Sequence, residues 1–325
     1  MSKATPIAKT EPVKKATYRV TNWPEYDRAL VQRGSLTVWF DDELPRGHWR
    51  AARNGKRGAP FTYPDAAIQT LLALKAVFHL PCRAVEGSAR SLVGLMGLDL
   101  PVPDHARMSR RARRLRAGIP RRPRTGPAHL AAGSTGLRIS GEGGWKVRRH
   151  GVGRRRTWRK ARPGFDADVK DVVAVEAATV EWTDAGVFAG LPGQVEGEIG
   201  QVDADGAYDT RDVCDAAMGR DAQAAIPPGE NAGPWEAGHP RTQALEAIAE
   251  KGLAGRRQAV NHRRRGIAEN GMYRLRQSFG PGLASRIFES QVTEAHVRVA
   301  ALNVMTYLGM PVSAGQGKLC PGPIG

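Results

Sequence analysis

The order of strands and helices in the second half of the chain constrains its fold most strongly. Two strand patterns come first, over residues 128–140, which include a turn, and over the β-branched run at residues 171–180. Helical and strand patterns then alternate, and helices end the series: helix 185–195, strand 199–204, helix 210–218, strand 222–226, helix 261–279 and helix 293–308. Because antiparallel strands are followed by a β-α-β unit and then by helices, the sequence predicts an α/β domain whose mixed central sheet is covered by helices.

The first half of the chain is helical by its pattern. A short helical pattern within residues 21–44 is followed by helical spacing at residues 63–79 and 83–96, and a third helix begins at Asp104, a favourable N-cap residue. This last helix is strongly basic, and four of its arginines are candidates for DNA contact: Arg110, Arg111, Arg113 and Arg114. Three short helices, the last of them basic, favour a DNA-binding head. The alternative is a helical bundle whose arginines are only solvated.

Segments rich in Pro, Gly and basic residues predict the boundaries. We expect a flexible basic tail at residues 1–20, linkers at 45–60 and 118–127, and a disordered tail at 310–325. These segments divide the chain into a helical head at residues 21–117 and the α/β domain at residues 128–309.

The charge of the chain indicates a polyanionic partner. Its 325 residues carry a formal net charge of +17 and a pI near 10.4, which points to nucleic acid before an anionic membrane surface. No stretch approaches the roughly 18 apolar residues of a membrane-spanning helix. The N-terminal residues contain lysines but no apolar core of a secretory signal. The three cysteines are far apart and have no zinc-binding spacing, which fits a reducing compartment.

The helix predicted at residues 261–279 has two different faces. Ile267, Gly271, Leu275 and Phe279 form an apolar stripe, and the opposite stripe places Glu269 among cationic and phenolic side chains: His262, Arg265, Tyr273 and Arg276. One interpretation is a solvated face on which Glu269 pairs with residues four positions away. The other is a carboxylate that binds a metal ion beside cations that bind phosphate.

A second acidic residue, Asp205, follows the strand predicted at residues 199–204. Carboxylates at strand ends project into clefts and can bind Mg²⁺, which needs only one or two protein carboxylates together with phosphate oxygens. Two such ions can activate the attacking oxygen and stabilise the leaving oxygen in phosphodiester chemistry. The alternative is a turn residue, because Asp-Gly is a common turn dipeptide.

A basic stretch with interleaved aromatic residues precedes the second strand of the α/β domain. It includes Arg154, Arg155, Arg156 and Trp158. Basic residues beside an aromatic ring can hold phosphates while the ring stacks on a base, so these residues are candidates to line a DNA strand. An exposed β-hairpin with a charged outer face is an equally good interpretation.

Seven motifs in one order carry a resemblance to a known family. They are NWPEYDRALVQRGSLTVWFDDE, YPDAAIQTLLALKAVFHLP, LDLPVPDHARMSRRAR, STGLRISGEGGWKVRRHG, RRRTWRK, DADGAYDTR and HRRRGIAENGMYRLR. From Tyr18 to Pro311 the chain resembles bacterial insertion-sequence transposases of the DDE type, in the insertion-sequence-five group.

The resemblance implies a fold, an activity and partners. The expected domain is RNase H-like, with three acidic residues that bind two Mg²⁺ ions and drive strand cleavage and strand transfer at the ends of the element. The expected partner is double-stranded DNA, as terminal inverted repeats and as target, and a homodimer or larger assembly is expected on DNA. The resemblance also implies a bacterial cytoplasmic protein associated with the nucleoid.

The resemblance also assigns residues. The second acid falls on Asp205 and the third on Glu269, within a family signature of the form Tyr-x2-Arg-x3-Glu-x6-Lys. Arg264 is assigned as the signature arginine, Arg276 replaces the lysine and Asn261 replaces the tyrosine. Arg264 and Arg276 are then expected to hold phosphates near the cut.

The first acid is the departure from the family. In relatives the strand before Ser-Thr-Gly-Leu ends in Asp, and here that position is Gly133. Loss of one shared carboxylate should weaken both metal sites and lower the rate by orders of magnitude. Pro163 and Gly164 also interrupt a stretch that should be a central strand.

Three hypotheses follow. The chain is a transposase with impaired catalysis, a non-catalytic DNA-binding protein that competes for element ends, or a basic RNA- or ribosome-associated protein. The second predicts binding to the ends with a steep salt dependence and no dependence on Mg²⁺. The third predicts no preference for a terminal repeat, and the order of the motifs argues against it.

Overall fold

The computed structural model describes residues 18–40, 49, 63–139, 158–179, 184–188 and 190–315. The N-terminal part is helical, as predicted. Its elements are β1 (Tyr18–Val20), α1 (Trp23–Gln32), α2 (Leu36–Trp39), α3 (Asp65–Val77), α4 (Cys82–Leu95) and α5 (His105–Arg111). The carboxylate of Asp104 accepts a hydrogen bond from the backbone N–H of Arg107, so the predicted N-cap is formed. Helix α5 ends at Arg111, earlier than the sequence pattern indicates.

A mixed sheet forms the centre of the second half. Its strands are β2 (Ala128–Ala132), β3 (Thr135–Ile139), β4 (Trp158–Asp166), β5 (Val172–Thr179), β6 (Ile199–Asp203), β7 (Gln223–Ala225) and β8 (Gly282–Leu283). Strands β2 and β3 pair antiparallel with β4 in a single register, and β5 pairs with the other edge of β4. Strand β6 is parallel to β2, and β7 is parallel to β6. The strand order β5-β4-β2-β6-β7 is that of an RNase H-like sheet.

Helices cover both faces of this sheet, which confirms the predicted fold class. One face packs against α6 (Asp184–Phe188), α7 (Leu191–Gln194) and α8 (Arg211–Met218) through a cluster that includes Leu130 and Val202. The other face packs against α10 (Gly266–Phe279) and α11 (Phe288–Leu308) through a cluster that includes Ala131 and Phe165. Among the described residues, every helix is too short or too polar to cross a lipid bilayer.

Helix α9 (Pro240–Ala259) was not predicted. Its residues have only a weak apolar periodicity, and Gly252 interrupts the helix with φ 70° and ψ 167°. Only glycine adopts this backbone conformation readily. Because a glycine break and a weak apolar face both lower the helical signal, the helix is visible only in the structure.

The N-terminal helices share one hydrophobic core with the sheet. Leu71 of α3 and Met108 of α5 belong to the same buried cluster as Phe165, Leu275 and Leu302. The segment predicted as a linker at residues 118–127 lies across this joint. Asn303 donates to the carbonyl of Pro120 at 2.9 Å, and Arg122 pairs with the buried Asp171 at 2.8 Å. Residues 21–117 and 128–309 are therefore continuous in their packing.

Strand β4 continues through Pro163 and Gly164, with a shift in its register against β5 between Gly164 and Phe165, so the predicted break in the strand is wrong. The backbone N–H of Val175, opposite Pro163, donates outside the sheet to the side chain of Gln194. The N–H position of Pro163 must therefore face the other way, toward the gap between β2 and β3. A proline is tolerated there because no ladder hydrogen bond is lost.

Each of the two predicted tails contains a short strand. Strand β9 (Ser313–Gly315) pairs antiparallel with β1, with Tyr18 opposite Gly315. The flexible and disordered tails predicted at residues 1–20 and 310–325 are therefore wrong for these two strands. Residues 1–17 and 316–325 lie outside the described residues, as do residues 140–157 and most of the linker predicted at residues 45–60.

Candidate active site

Two of the predicted site positions follow the ends of neighbouring parallel strands. Ala131 of β2 lies opposite Asp203 of β6. Two residues further on, Gly133 and Asp205 leave the same edge of the sheet, and side chains two positions apart share a face. The carboxyl ends of parallel strands are where α/β sheets bind ligands. Asp205 also caps a 3₁₀ turn by accepting from the N–H of Ala207 at 2.9 Å, so the turn interpretation of this residue holds as well.

The third position, Glu269, lies in the first turn of α10. This helix approaches the sheet closely at Gly271, where a Cβ atom would lie 2.1 Å from the ring of Phe165. A Cβ atom on Gly133 would lie 2.6 Å from the methyl group of Met272 and 3.7 Å from Cβ of Ala268. Position 133 therefore lies against the turn of α10 that carries Glu269, in contact with the residues one before and three after it.

One guanidinium joins the two acids. Nη2 of Arg265 lies 2.5 Å from Oε1 of Glu269, and Nη1 lies 3.5 Å from Oδ2 of Asp205. The side chains of Asp205 and Glu269 are about half exposed, and that of Arg265 is 27% exposed. The ion-pair interpretation of the Glu269 face is therefore realised, since Arg265 lies four residues before Glu269.

The spacing of the family signature places its arginine and its tyrosine position one residue later than predicted. Counted back from Glu269 with three intervening residues, the signature arginine is Arg265, and the tyrosine position is His262. The assignments to Arg264 and Asn261 are each wrong by one residue. Arg276, counted forward from Glu269, keeps its place and is exposed on α10.

Arg264 belongs to a network beneath the site instead of facing a phosphate. Its guanidinium donates to Nδ1 of His129 at 2.8 Å and pairs with Asp168. Because Nδ1 accepts, Nε2 of His129 carries the proton that is donated to the fully buried Asp203. The network thus ties β2, β6 and the segment before α10 to one another.

Two further groups border this network. Burial lowers the pKa of His262, and the neighbouring Arg265 lowers it further while Asp203 opposes the shift. Burial raises the pKa of Asp166, against the effects of a backbone hydrogen bond and of Arg124. Low dielectric surroundings disfavour the charged form of each group.

Sequence reasoning did not identify His129 and Asp203. A signal was present for Asp203, because it lies two residues before Asp205 at the end of the predicted strand, and side chains two positions apart on an extended backbone share a face. For His129 there was none, since its role depends on which strand lies beside β2.

The residues present do not complete the metal site that the resemblance implies. Asp205 and Glu269 can supply carboxylate oxygens, but Gly133 supplies no ligand, and the space beside it holds the Met272 methyl group. Within the described ranges, no group of three or more His, Cys, Asp or Glu side chains is placed to hold a metal ion. Of the neutral neighbours, Ser134 is exposed and Thr135 is buried in β3.

The arginines predicted to contact DNA divide into two sets. Arg110, Arg113 and Arg114 are exposed on α5 and the turn after it. Arg111 faces inward, donating to the carbonyl of Tyr63 at 2.8 Å and pairing with Asp65, so its predicted contact with DNA is replaced by a contact between helices.

Of the residues predicted to line a DNA strand, the structure describes only Trp158. Trp158 begins β4 and packs over Gly136, where a Cβ atom would lie 3.3 Å from its ring. Arg154, Arg155 and Arg156 lie outside the described residues.

An open groove beside the site was also missed. It is lined by the end of α9 and the following turn: Ala254, Arg257, Gln258, Asn261, His262 and Arg265. Arg257 is exposed there, and Arg265 borders both the groove and the two acids. The groove was missed because α9 itself was not predicted.

Comparison with known families identifies the domain. A family model described as "Transposase DDE domain" matches residues 124–304, which is more than half of the chain. A second model with the same description matches residues 31–142. No solved structure matches the chain.

Proposed function

Because the chain belongs to the transposase DDE-domain family, we propose that it is an insertion-sequence transposase of the insertion-sequence-five group whose catalysis is impaired at Gly133. The observation that supports this proposal is the convergence of positions 133, 205 and 269 at one edge of the sheet. Two of the three carry carboxylates, and the third carries none.

The substrate in this proposal is double-stranded DNA, bound as the terminal inverted repeats of an element and as target. The exposed Arg110, Arg113, Arg114 and Arg276 bind the phosphate backbone. Paired ends require two copies of the chain, so a homodimer or larger assembly forms on DNA. Residues 21–117 supply the DNA-binding head, and residues 128–309 supply the acidic site.

Catalysis is weak in this proposal because the ligand set is incomplete. Domains of this family generally use divalent metal ions, and Mg²⁺ is the ion proposed here. A three-carboxylate site shares its acids between two ions, so the loss of one acid weakens both. What this chain still contributes to catalysis is the charge of Asp205 and Glu269 together with the arginines that bind phosphate.

A second candidate is a DNA-binding protein without chemistry that competes with active copies for element ends. The observation that favours it is the bridge from Arg265 to both remaining acids, combined with glycine at position 133. Such a protein would bind element ends with no dependence on Mg²⁺.

DNA binding is tested by fluorescence anisotropy with a labelled terminal-repeat duplex and a scrambled duplex of equal length. We expect the repeat to bind more tightly, and we expect the affinity to fall steeply with salt. Replacing Arg110 and Arg114 together with Gln should reduce the slope of log affinity against log salt by about 2, or about 1 for each phosphate contact. Arg28→Gln, which removes an exposed arginine from α1, is the control. Equal affinity for both duplexes would contradict the proposal.

Catalysis is tested by strand transfer from a terminal-repeat duplex with Mg²⁺. We expect the Gly133→Asp variant to exceed the wild-type protein by at least about 100-fold, since a missing ligand is restored. The new side chain has room if the flexible end of Met272 moves. If the wild-type protein already reacts at the rate of the variant, the proposed impairment is wrong.

A further inference from the structure

We infer that Arg265 is the built-in counter-cation of Asp205 and Glu269, and that a divalent cation can bind these acids only when the guanidinium is released. The inference rests on the proposed function in taking the two acids as the remnant of a transposase site. It adds a competing ligand from the same chain, which the loss at Gly133 alone does not imply.

The first support is geometric. The guanidinium is planar and presents its donors as a fork, and its two terminal nitrogens each face a different carboxylate, at 2.5 Å and 3.5 Å. The other oxygen of Asp205, Oδ1, accepts from the backbone N–H of Ala207, so an ion that bridged Asp205 and Glu269 would compete with the guanidinium for Oδ2 of Asp205. The two ligands therefore compete for one place.

The second support is the balance of charge. Two carboxylates beside one guanidinium leave a net charge of about −1, and a divalent cation added there would also be repelled by the arginine. An acid at position 133 would add a further negative charge. Gly133 adds none, so this chain has less attraction for a divalent cation than a site with three acids.

The third support is the groove that Arg265 borders beside the two acids. Arg265 also lines the groove formed with Arg257, Gln258, Asn261 and His262. Arginine binds phosphate oxygens in the same forked way as it binds carboxylates. A phosphodiester backbone in the groove would draw Arg265 from the acids, so DNA in the groove and a cation at the acids should favour each other.

The solvent exposure of the two acids sets how strongly Arg265 should affect the binding of a divalent cation. The side chains of Asp205 and Glu269 are 48% and 59% exposed, and ion pairs this accessible to solvent are weak. We therefore expect Arg265 to lower the affinity for a divalent cation by about tenfold, as a competing ligand does, and not to abolish it.

The test is direct measurement of Mn²⁺ binding by electron paramagnetic resonance, in which the signal of free Mn²⁺ falls as the ion binds. We expect the Arg265→Gln variant to bind one Mn²⁺ about tenfold more tightly than the wild-type protein. Adding Glu269→Gln to that variant should remove the gain. Arg28→Gln is the matched control, because it also frees a helical glutamate, Glu25, from an exposed ion pair.

The Arg265→Lys variant provides a second test in case Arg265→Gln does not fold. Lysine keeps the charge but cannot face two carboxylates with one planar fork, so its Mn²⁺ affinity should lie between those of the wild-type protein and Arg265→Gln. Circular dichroism checks that each variant is folded. Equal Mn²⁺ affinity in the wild-type protein and both folded Arg265 variants would overturn the inference, as would an equal gain in Arg28→Gln.

The inference and the proposed function fail separately. Failure to prefer the terminal-repeat duplex, together with an Arg265-dependent gain in Mn²⁺ affinity, would overturn the proposed function and support the inference. Specific binding to the repeat with no such gain would overturn the inference alone.

Discussion

Asp203, the last residue of β6, and Asp205, which caps the turn after it, differ sharply in their surroundings although they lie two residues apart. Asp203 is fully buried and accepts hydrogen bonds from His129 and Gln201. Asp205 is about half exposed and contacts Arg265 at 3.5 Å. A buried charge that loses its partners costs far more than an exposed one. We therefore assign Asp203 to holding the site together and Asp205 to the site itself.

Because their surroundings differ, replacement by asparagine should lower the free energy of unfolding by different amounts at Asp203 and Asp205. Asp203→Asn removes a buried charge and turns an amide donor toward the donors of His129 or Gln201, so it should lower the free energy of unfolding by about 2–4 kcal/mol. Asp205→Asn, the matched control, should lower it by no more than about 1 kcal/mol. Urea denaturation of both variants measures the two values. Equal losses would show that the network does not stabilise the fold.

At the residue scale, the sequence singles out Asp205 and Glu269 but not the residues that surround them. Asp205 and Glu269 stand out because one follows a strand and the other lies among cations on a helix. The pairing of Arg264 with His129 depends on contacts between residues 135 positions apart. No local pattern contains that information. The spacing of the signature places its arginine at Arg265 and not at the predicted Arg264.

Helix α10 carries Glu269 to the sheet because one of its residues has no side chain. Gly271 faces the buried ring of Phe165, and any Cβ atom there would overlap that ring. Gly266, at the start of the same helix, has open space around its Cα atom. The apolar stripe predicted from the sequence explains which face of α10 is buried, and Gly271 explains how closely it packs.

Replacement by alanine should affect the free energy of unfolding differently at Gly271 and at Gly266. Gly271→Ala should lower the free energy of unfolding by about 1–3 kcal/mol, because the helix or the ring must move. Gly266→Ala should leave it unchanged or raise it by up to about 1 kcal/mol, because alanine favours the helix. Thermal or urea unfolding distinguishes them. If Gly271→Ala were as stable as Gly266→Ala, the close approach of α10 to the sheet would be contradicted.

At the element scale, strongly periodic segments were predicted well and irregular ones were not. Strands β5 and β6 and helices α3 and α10 follow clear periodicity. Helix α9 lacks it, and strand β4 contains a proline that is acceptable only because the neighbouring strand is interrupted opposite it. Such compensation arises from pairing between distant segments, so a local pattern cannot reveal it.

At the scale of the whole molecule, the N-terminal helices and the sheet share a hydrophobic cluster where the sequence suggested two domains. Linkers were predicted from composition, and the Pro- and Arg-rich residues 118–127 fit that pattern. In the structure the same residues are hydrogen-bonded to α11 and to the turn before β5. Composition reports the tendency of a segment to avoid regular structure, but not whether the surfaces on either side of it pack together.

A shared core predicts a single cooperative unfolding transition in calorimetry. Leu71→Ala in α3 opens a cavity in the shared cluster and should cost about 2–5 kcal/mol. We expect it to shift the whole heat-absorption peak to lower temperature. If residues 21–117 were an independent domain, two peaks would be seen and only one would move.

The central claim is that Asp205 and Glu269 meet at one edge of the sheet, and cysteine cross-linking tests it most directly. In a background with Cys82, Cys214 and Cys320 replaced by alanine, we would introduce Asp205→Cys with Glu269→Cys, and as a matched control Asp205→Cys with Arg276→Cys, and treat both with a short thiol-specific cross-linker. We predict a cross-linked peptide pair, identified by mass spectrometry, for positions 205 and 269 and little for positions 205 and 276, which lies two turns further along α10. Equal cross-linking of both pairs, or none at 205 and 269 in a folded protein, would contradict the account.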